Sequence, residues 1–253
     1  MSRSSRRIRI VVSYDGSEFS GWQVQPAQLT IQSAIEEVLR RVVKHPVAIH
    51  GSGRTDAGVH AYAQVAAFNL ENAIPCDNLR RAMNHLLPPS IRILSAEDVA
   101  HSFHPRYDAV GKEYEYRIWR EELCPPFICR YVHHHPYPLD EATMIAAARL
   151  YEGEHDFSSF AAADEKDALG RSKIRHISSS ILRREGEMLI YRVYGSGFLK
   201  HMVRNLVGTL IEVGRGNLSH IGLKKLLTHP DRAKSGATVP GQGLFLVRVD
   251  YAD

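Results

Sequence analysis

The sequence predicts an α+β protein made of two halves, each with a ferredoxin-like arrangement of strands and helices. Strand and helix patterns follow the order β-α-β-β-α-β up to residue 96, and a second mixture of strands and helices follows residue 100. The length of 253 residues fits one large domain or two small ones. We place the halves at residues 1–105 and 106–253. Their sheets are expected to join into one mixed, largely antiparallel sheet, with the active-site cleft between the halves.

The first half shows regular helix and strand patterns. Thr30 can cap a helix whose apolar residues recur at helical spacing from Ile31 to Val42. Asp77–Leu87 predicts a second helix, and glycines mark Gly51–Asp56 as a loop. Branched and alternating apolar residues predict four strands, at Arg7–Tyr14, Val47–His50, Tyr62–Leu70 and Ile91–Ala96.

The second half opens with an alternating strand, Lys112–Arg120, which places Tyr114, Tyr116 and Ile118 on one face. Spacing alone does not choose between the two tyrosines. The other predicted elements are a helix at Asp140–Leu150, a hairpin of Ile177–Arg184 and Met188–Tyr194, a helix with an apolar face from Met202 to Ile211, and a strand at Leu244–Val249.

Composition narrows the class of protein. Hydrophobic residues make up 44% and charged residues 24%, which is typical of globular proteins and excludes wholesale disorder. No segment offers the ~20 consecutive apolar residues of a membrane span, so we expect no membrane association. The net charge of +4 is matched by the four arginines between Arg3 and Arg9 alone, so charge permits a nucleic-acid partner without establishing one. The chain has three cysteines, Cys76, Cys124 and Cys129. An odd and small number of cysteines fits a reducing compartment, so we expect a cytoplasmic protein.

The segment Gly51–Ala61 carries the most specific motif. Three glycines surround Arg54 and Asp56 directly before an apolar strand. Glycines let a backbone turn sharply and approach a ligand, so both side chains can project from a stiff loop into a cleft. A short Gly-Arg-Thr-Asp match would equally suit a surface turn, but the run of eleven residues is far more specific.

This run resembles the GRTDAGVHA signature that surrounds the catalytic aspartate of the TruA family of tRNA pseudouridine synthases. Further family-like matches follow in order and cover nearly the whole chain. They are Tyr14-Asp-Gly, Gly21-Trp-Gln, Phe103-His-Pro-Arg106, Lys112-x-Tyr114-x-Tyr116, Phe157-Ser-Ser-Phe160, Phe198-x-x-x-Met202-Val-Arg204-Asn205 and Gly243-Leu-x-Leu246.

The resemblance implies the pseudouridine synthase fold, a homodimer and no cofactor. It also implies isomerisation of uridine to pseudouridine in the anticodon stem-loop of tRNA, at positions 38, 39 and 40. In this interpretation Asp56 is the nucleophile, Arg204 forms an ion pair with it, and Tyr114 stacks on the target uracil and handles a proton. The further substrate-binding residues implied are Arg54, His201 and Leu246.

The chemistry of these residue types is compatible with that reaction. A carboxylate can attack C1′ of the ribose or C6 of the uracil ring if it is ionised, and a nearby arginine such as Arg204 favours the ionised form. The target base must leave its stem, and Arg54 beside Asp56 is the side chain expected to hold the flipped nucleotide. Other basic side chains are expected to follow the RNA backbone: those of the Arg3–Arg9 arm, Arg80, Arg81, Arg171, Lys173, Arg175 and Lys200.

Two other function classes compete with this interpretation. Cys124 and Cys129 precede His133–His135, which suggests a zinc enzyme, but the spacing is not that of a zinc knuckle and no deaminase signature is present. We therefore expect no metal. A non-catalytic RNA-binding module would not need the set of Arg54, Asp56, Tyr114 and Arg204, so their joint presence favours an enzyme.

Overall fold

The computed structural model describes residues 5–163, 170 and 172–252. Backbone packing divides the chain into two compact units. The first runs to Val110 and takes in the chain again from Phe245 onward, and the second is Gly111–Leu244. The division predicted at residues 105 and 106 did not include this return of the chain end to the first unit. Two expected RNA contacts, Arg3 and Arg171, lie outside the described residues.

The first unit is a mostly antiparallel sheet with two helices. Its elements are β1 (Arg6–Tyr14), α1 (Ile31–Val43), β2 (His50–Gly51), β3 (His60–Leu70), α2 (Cys76–Leu86), β4 (Ile91–Val99) and the last strand, β10 (Leu244–Tyr251). The strand order is β4-β1-β3-β10, with β2 beside β3. β10 lies parallel to β3, while β1 is antiparallel to both of its neighbours.

Strand alternation and helix capping explain these elements. Every second residue of β1 from Ile8 to Tyr14 is buried, so one face of the sheet supplies the core. Helix α1 is capped by Thr30, as predicted. The Thr30 hydroxyl accepts a hydrogen bond from Ser33 N–H, and the Ser33 hydroxyl accepts one from Thr30 N–H. The strand predicted at Val47–His50 is shorter and later than expected, because only His50–Gly51 pairs with β3.

The second unit contains the remaining elements. These are β5 (Ala109–Trp119), β6 (His133–His134), α3 (Glu141–Ala148), β7 (Gly153–Asp156), β8 (Ile174–Glu185), β9 (Met188–Gly195), α4 (Met202–Gly214) and α5 (His220–Thr228). The strands lie in the antiparallel order β5-β9-β8-β7, and β6 runs parallel to β5. The hairpin predicted around residues 185–187 is present, with Gly186 at a φ of 56°. Helix α5 and strands β6 and β7 were not predicted.

The α+β class is therefore confirmed in both units. Within the described ranges, no helix is both long and apolar enough to cross a membrane.

Helix α4 is held against the segment 235–240 by two facing glycines. A Cβ atom on Gly208 would lie 1.9 Å from the Ala237 carbonyl oxygen, and one on Gly236 would lie 2.3 Å from the Gly208 carbonyl carbon. Both contacts are with backbone, which cannot rotate away. The close approach therefore requires glycine on both sides.

Gly208→Ala should destabilise the protein by roughly 1–3 kcal/mol, because the added methyl group forces the segment off the helix. Urea unfolding measures this loss. Gly222→Ala in α5 is the matched control, since the nearest atom to its new Cβ is the end of the flexible Leu218 side chain. Equal effects from the two substitutions would contradict the role given to Gly208.

Candidate active site

The loop between β2 and β3 carries Arg54 and Asp56 and is fixed by backbone hydrogen bonds. Trp22 N–H donates to the Thr55 carbonyl at 3.0 Å, and Val59 N–H donates to the Asp56 carbonyl at 3.2 Å. The bond from Val59 to Asp56 closes a turn of four residues, and Gly58 is the third of them. Its φ of +74° is a conformation that favours glycine. The glycine-rich motif thus forms a closed turn directly after Asp56.

Thr55 is the inward anchor of this loop. It is buried, and its hydroxyl lies 2.8 Å from the hydroxyl of Tyr14 at the end of β1. Burial raises the pKa of Tyr14, so this phenol stays neutral at physiological pH and remains able to donate. By contrast, Arg54 is exposed and Asp56 is half-buried. The side chains on either side of Thr55 are therefore the ones available to a ligand.

Gly21 explains a second part of the motif pattern. Its φ is +90°, and a Cβ atom at this position would lie 2.5 Å from the Thr55 carbonyl oxygen. Only a glycine lets the segment before α1 approach the loop of Arg54 and Asp56 this closely. The two motifs that are separate in sequence, around Gly21 and around Asp56, are one packed structure.

Leu246 lies on β10, beside the strand that follows this loop. It pairs with Ala61 across β10 and β3 and is 1% exposed. Next to it, the Phe245 ring stacks on the buried His60 ring with centroids 4.7 Å apart. Leu246 belongs to the packing of this unit, and the substrate contact expected for it stays a prediction.

In the second unit, the two candidate tyrosines have different surroundings. Tyr116 is completely buried, and its hydroxyl donates to the Pro240 carbonyl at 2.8 Å. Burial raises its pKa. Tyr114 is 7% exposed and packs edge-on against the Phe198 ring, with centroids 5.0 Å apart. The hydroxyl proton of Tyr116 is thus used in a hydrogen bond within the folded unit.

Arg204 lies in the first turn of α4, and His201 is the N-cap residue of that helix. The Arg204 Nε donates to the Val239 carbonyl at 2.7 Å, which fixes the direction of the guanidinium group. His201 has a left-handed backbone, with a φ of 59°, and its carbonyl accepts from Asn205 N–H at 3.0 Å. Both side chains are half-buried.

Asn205 ties this helix to its surroundings. Its amide donates to the Phe160 carbonyl at 2.7 Å and its amide oxygen accepts from Thr238 at 2.6 Å and Arg232 at 3.2 Å. Because Asn205 is fully buried, these partners are needed to satisfy both ends of its amide group. Helix α4 therefore presents Arg204 from a fixed position.

The predicted site residues fall into two groups. Arg54, Asp56 and Leu246 belong to the first unit, whereas Tyr114, His201 and Arg204 belong to the second. The ion pair expected between Arg204 and Asp56 would link residues of different units and stays a prediction. Sequence reasoning missed Thr55 as the anchor of the loop, although its partner Tyr14 begins a motif that was noticed.

Several basic residues expected to follow RNA are engaged locally. Arg9 forms an ion pair of 2.8 Å with Glu97, and Arg6 forms one of 3.3 Å with Asp98. The Arg175 guanidinium donates to the Ser172 carbonyl at 2.9 Å. The described part of the N-terminal arm is thus strand β1 with paired arginines.

The histidines of the zinc hypothesis lie within the second unit. Burial lowers the pKa of His133 and lowers that of His135 to about 4. Within the parts of the chain that the structure describes, no group of three or more His, Cys, Asp or Glu side chains is arranged to hold a metal ion.

Comparisons with known proteins place the chain in a family. A family model described as tRNA pseudouridine synthase matches residues 10–108 and 147–252. A tRNA pseudouridine synthase A from Solibacter usitatus is 61% identical over 246 residues, which cover 97% of this chain and 100% of the relative. Proteins of the same name from Geobacter sulfurreducens and Brevibacillus brevis are 42% and 43% identical, each with the same coverage of 97% and 100%.

The chain therefore belongs to the tRNA pseudouridine synthase family, which confirms the resemblance seen in its motifs. It is an isomerase that acts on uridine in tRNA, and the enzyme interpretation is preferred over the non-catalytic RNA-binding module.

Tyr14→Phe tests whether the Tyr14–Thr55 contact anchors the loop. It keeps the ring but leaves the buried Thr55 hydroxyl without its partner, so it should cost about 1–3 kcal/mol in the free energy of unfolding. Adding Thr55→Val should recover part of that loss, because no unpartnered hydroxyl then remains. Urea unfolding of the two single variants and the double variant measures the coupling. Strictly additive losses would show that the contact does not stabilise the fold.

Proposed function

We propose that this enzyme isomerises the uridines at positions 38, 39 and 40 in the anticodon stem-loop of tRNA, with Asp56 as the nucleophile and without a cofactor. The observation that carries the proposal is the fixed loop in which Thr55 is anchored inward while Arg54 is exposed and Asp56 half-buried. A rigid loop of this kind can hold a carboxylate in position for attack.

The reaction requires three events at one uridine. The N1–C1′ bond breaks, the uracil turns while it stays bound, and a C5–C1′ bond forms. Attack of the Asp56 carboxylate at C1′ or at C6 would give a covalent intermediate that divides this change into easier steps. Because the target base must first leave the helical stem, the exposed Arg54 is suited to hold the flipped nucleotide.

Tyr114 is the tyrosine we assign to the target base. The alternative, Tyr116, is fully buried and gives its hydroxyl proton to the Pro240 carbonyl. In this proposal the Tyr114 ring stacks on the uracil and its hydroxyl handles a proton, while Tyr116 anchors the strand through its hydrogen bond to the Pro240 carbonyl.

Arg204 is assigned as the cation that keeps Asp56 ionised, and His201 as a further substrate contact. The Val239 carbonyl holds the Arg204 Nε, so the guanidinium group is oriented before any substrate arrives. An oriented guanidinium pays less conformational entropy when it pairs with a carboxylate.

We also propose that the enzyme is cytoplasmic and acts as a homodimer, as the family resemblance implies. Sedimentation equilibrium tests the second statement. A homodimer requires a mass of about twice the chain mass of 28.5 kDa, and a mass equal to that of one chain would reject it.

Asp56→Asn should abolish tritium release from tRNA labelled at C5 of uridine, while tRNA affinity changes by no more than a few-fold. The amide keeps the shape but cannot act as the nucleophile, whereas phosphate contacts supply most of the binding. Asp77→Asn is the matched control, since Asp77 lies in α2 with a side chain that is 80% exposed. Tritium release that persists in Asp56→Asn, after deamidation to aspartate is excluded, would reject Asp56 as nucleophile.

Tyr114→Phe should leave tRNA bound but block conversion, because the ring is kept and the hydroxyl is lost. Tyr116→Phe should retain conversion but lose about 0.5–1.5 kcal/mol in the free energy of unfolding, since the Pro240 carbonyl loses its donor. Single-turnover kinetics and urea unfolding separate these outcomes. If Tyr116→Phe blocks conversion and Tyr114→Phe does not, the assignment of the two tyrosines must be exchanged.

A further inference from the structure

A cleft of about 310 Å³ in the first unit is not accounted for by the reaction itself. Its lining includes Trp22, His50, Arg54, His104, Arg106 and Tyr107. Arg54 belongs to the catalytic loop, but Asp56 is not among the lining residues described. The cleft is therefore adjacent to the nucleophile's loop without containing the nucleophile.

An exposed aromatic ring stands at this cleft on a fixed turn. Tyr107 is 75% exposed, and its ring centroid lies 4.3 Å from that of His104. The His104 Nδ1 accepts from the Arg106 and Tyr107 N–H groups at 3.1 and 3.3 Å, while Asp108 accepts from His104 N–H at 2.8 Å. These bonds fix the backbone of the turn 104–108, from which the exposed Tyr107 side chain projects.

The same turn is attached to the sheet. The Tyr251 hydroxyl on β10 donates to the Pro105 carbonyl at 2.7 Å, and the Phe103 ring packs against the Tyr251 ring. On the opposite side, Trp22 packs so closely on Gly51 that a Cβ there would lie 2.6 Å from the indole. The cleft is thus preformed between two anchored walls.

The charge of the lining is one-sided. Arg54 and Arg106 contribute cationic groups, and none of the lining residues within the described chain is Asp or Glu. The His104 ring is kept neutral because its Nδ1 accepts two N–H bonds, and burial, together with His50 and Arg7, lowers its pKa. An exposed aromatic face beside two guanidinium groups matches a nucleotide, which offers a base to stack and a phosphate to bind.

The volume limits the size of the ligand. Sites for small molecules span ~300–1,000 Å³, so this cleft is at the small end and accommodates one nucleotide rather than a duplex. Stacking is tolerant of sequence because every base has a π-face. That tolerance suits an enzyme whose target lies at several neighbouring positions, since the nucleotide next to the target then varies.

We propose that this cleft binds one unpaired nucleotide of the RNA substrate other than the target uridine, with its base stacked on Tyr107 and its phosphate held by Arg106. The inference rests on the proposed function for the identity of the substrate. It assigns Tyr107 and Arg106 as positioning residues that help to hold the stem-loop open beside Asp56's loop.

Direct binding tests the proposal without requiring turnover. Fluorescence anisotropy with a labelled anticodon stem-loop RNA that already contains pseudouridine gives Kd for the full-length protein and its variants. Tyr107→Ala should raise Kd by ~5- to 150-fold, the range expected for loss of one base–aromatic stack. Tyr107→Phe should stay within about two-fold of the unsubstituted protein because the ring remains.

The salt dependence of binding tests the phosphate contact. Arg106→Gln should weaken binding to all stem-loop sequences alike and reduce the slope of log K against log salt by about one. Tyr137→Ala is the control for loss of an exposed tyrosine, since Tyr137 is 65% exposed and lies in the second unit. Its Kd should not change.

Single-turnover tritium release separates this inference from the proposed function. Tyr107→Ala should raise the enzyme concentration needed for half-saturation while leaving the saturating rate nearly unchanged. If the unsubstituted protein releases tritium and Tyr107→Ala binds RNA equally well, the nucleotide site is rejected and the proposed function stands. If the unsubstituted protein binds RNA but releases no tritium, the proposed function fails, and the Kd values still decide the nucleotide site.

Discussion

The position of the candidate nucleophile depends on one buried residue, Thr55. Its hydroxyl lies 2.8 Å from the Tyr14 hydroxyl at the end of β1, and its carbonyl accepts from the backbone N–H of Trp22, in the segment that joins β1 to α1. Tyr14 pairs with Ala61 on one side and Ile91 on the other, at the end of a strand with two neighbours. The loop that carries Arg54 and Asp56 therefore takes its position from an internal strand of the sheet.

In the second unit, Arg204 is likewise held by a hydrogen bond to a backbone carbonyl. Close contact at Gly208 brings the segment after residue 235 against α4, and the Val239 and Pro240 carbonyls of that segment accept from Arg204 and Tyr116. Arg204 and Tyr116 are thus oriented by backbone acceptors rather than by flexible side chains. A backbone acceptor adds no rotamer freedom of its own, so the guanidinium group loses little further entropy when it acts.

Local patterns predicted what local forces decide. Helix α1 starts at Thr30 because the cap is formed by neighbouring residues, and β5 follows its own alternation. Helix α5 was missed because its buried residues, such as Leu223, are stabilised by packing that its sequence does not display. The strand expected at Val47–His50 was misplaced because pairing with β3, a distant segment, decides which residues join the sheet. Likewise, nothing local indicates that Thr55 turns inward or that Tyr107 borders a cleft.

The contribution of each arginine to RNA binding depends on its surroundings in the fold as well as on the net charge of the chain. Arg6 and Arg9 account for part of the sequence's basic excess, yet in the structure they face Asp98 and Glu97. Exposed pairs of this kind contribute only about 0–1 kcal/mol, so a phosphate can compete for such an arginine, but the net attraction is reduced. Arg54 and Arg106 face a cleft without a carboxylate among its described lining residues. In the nucleotide site that we propose, a phosphate meets no carboxylate among these lining residues, so the two arginines are expected to contribute more to RNA affinity than their share of the net charge suggests.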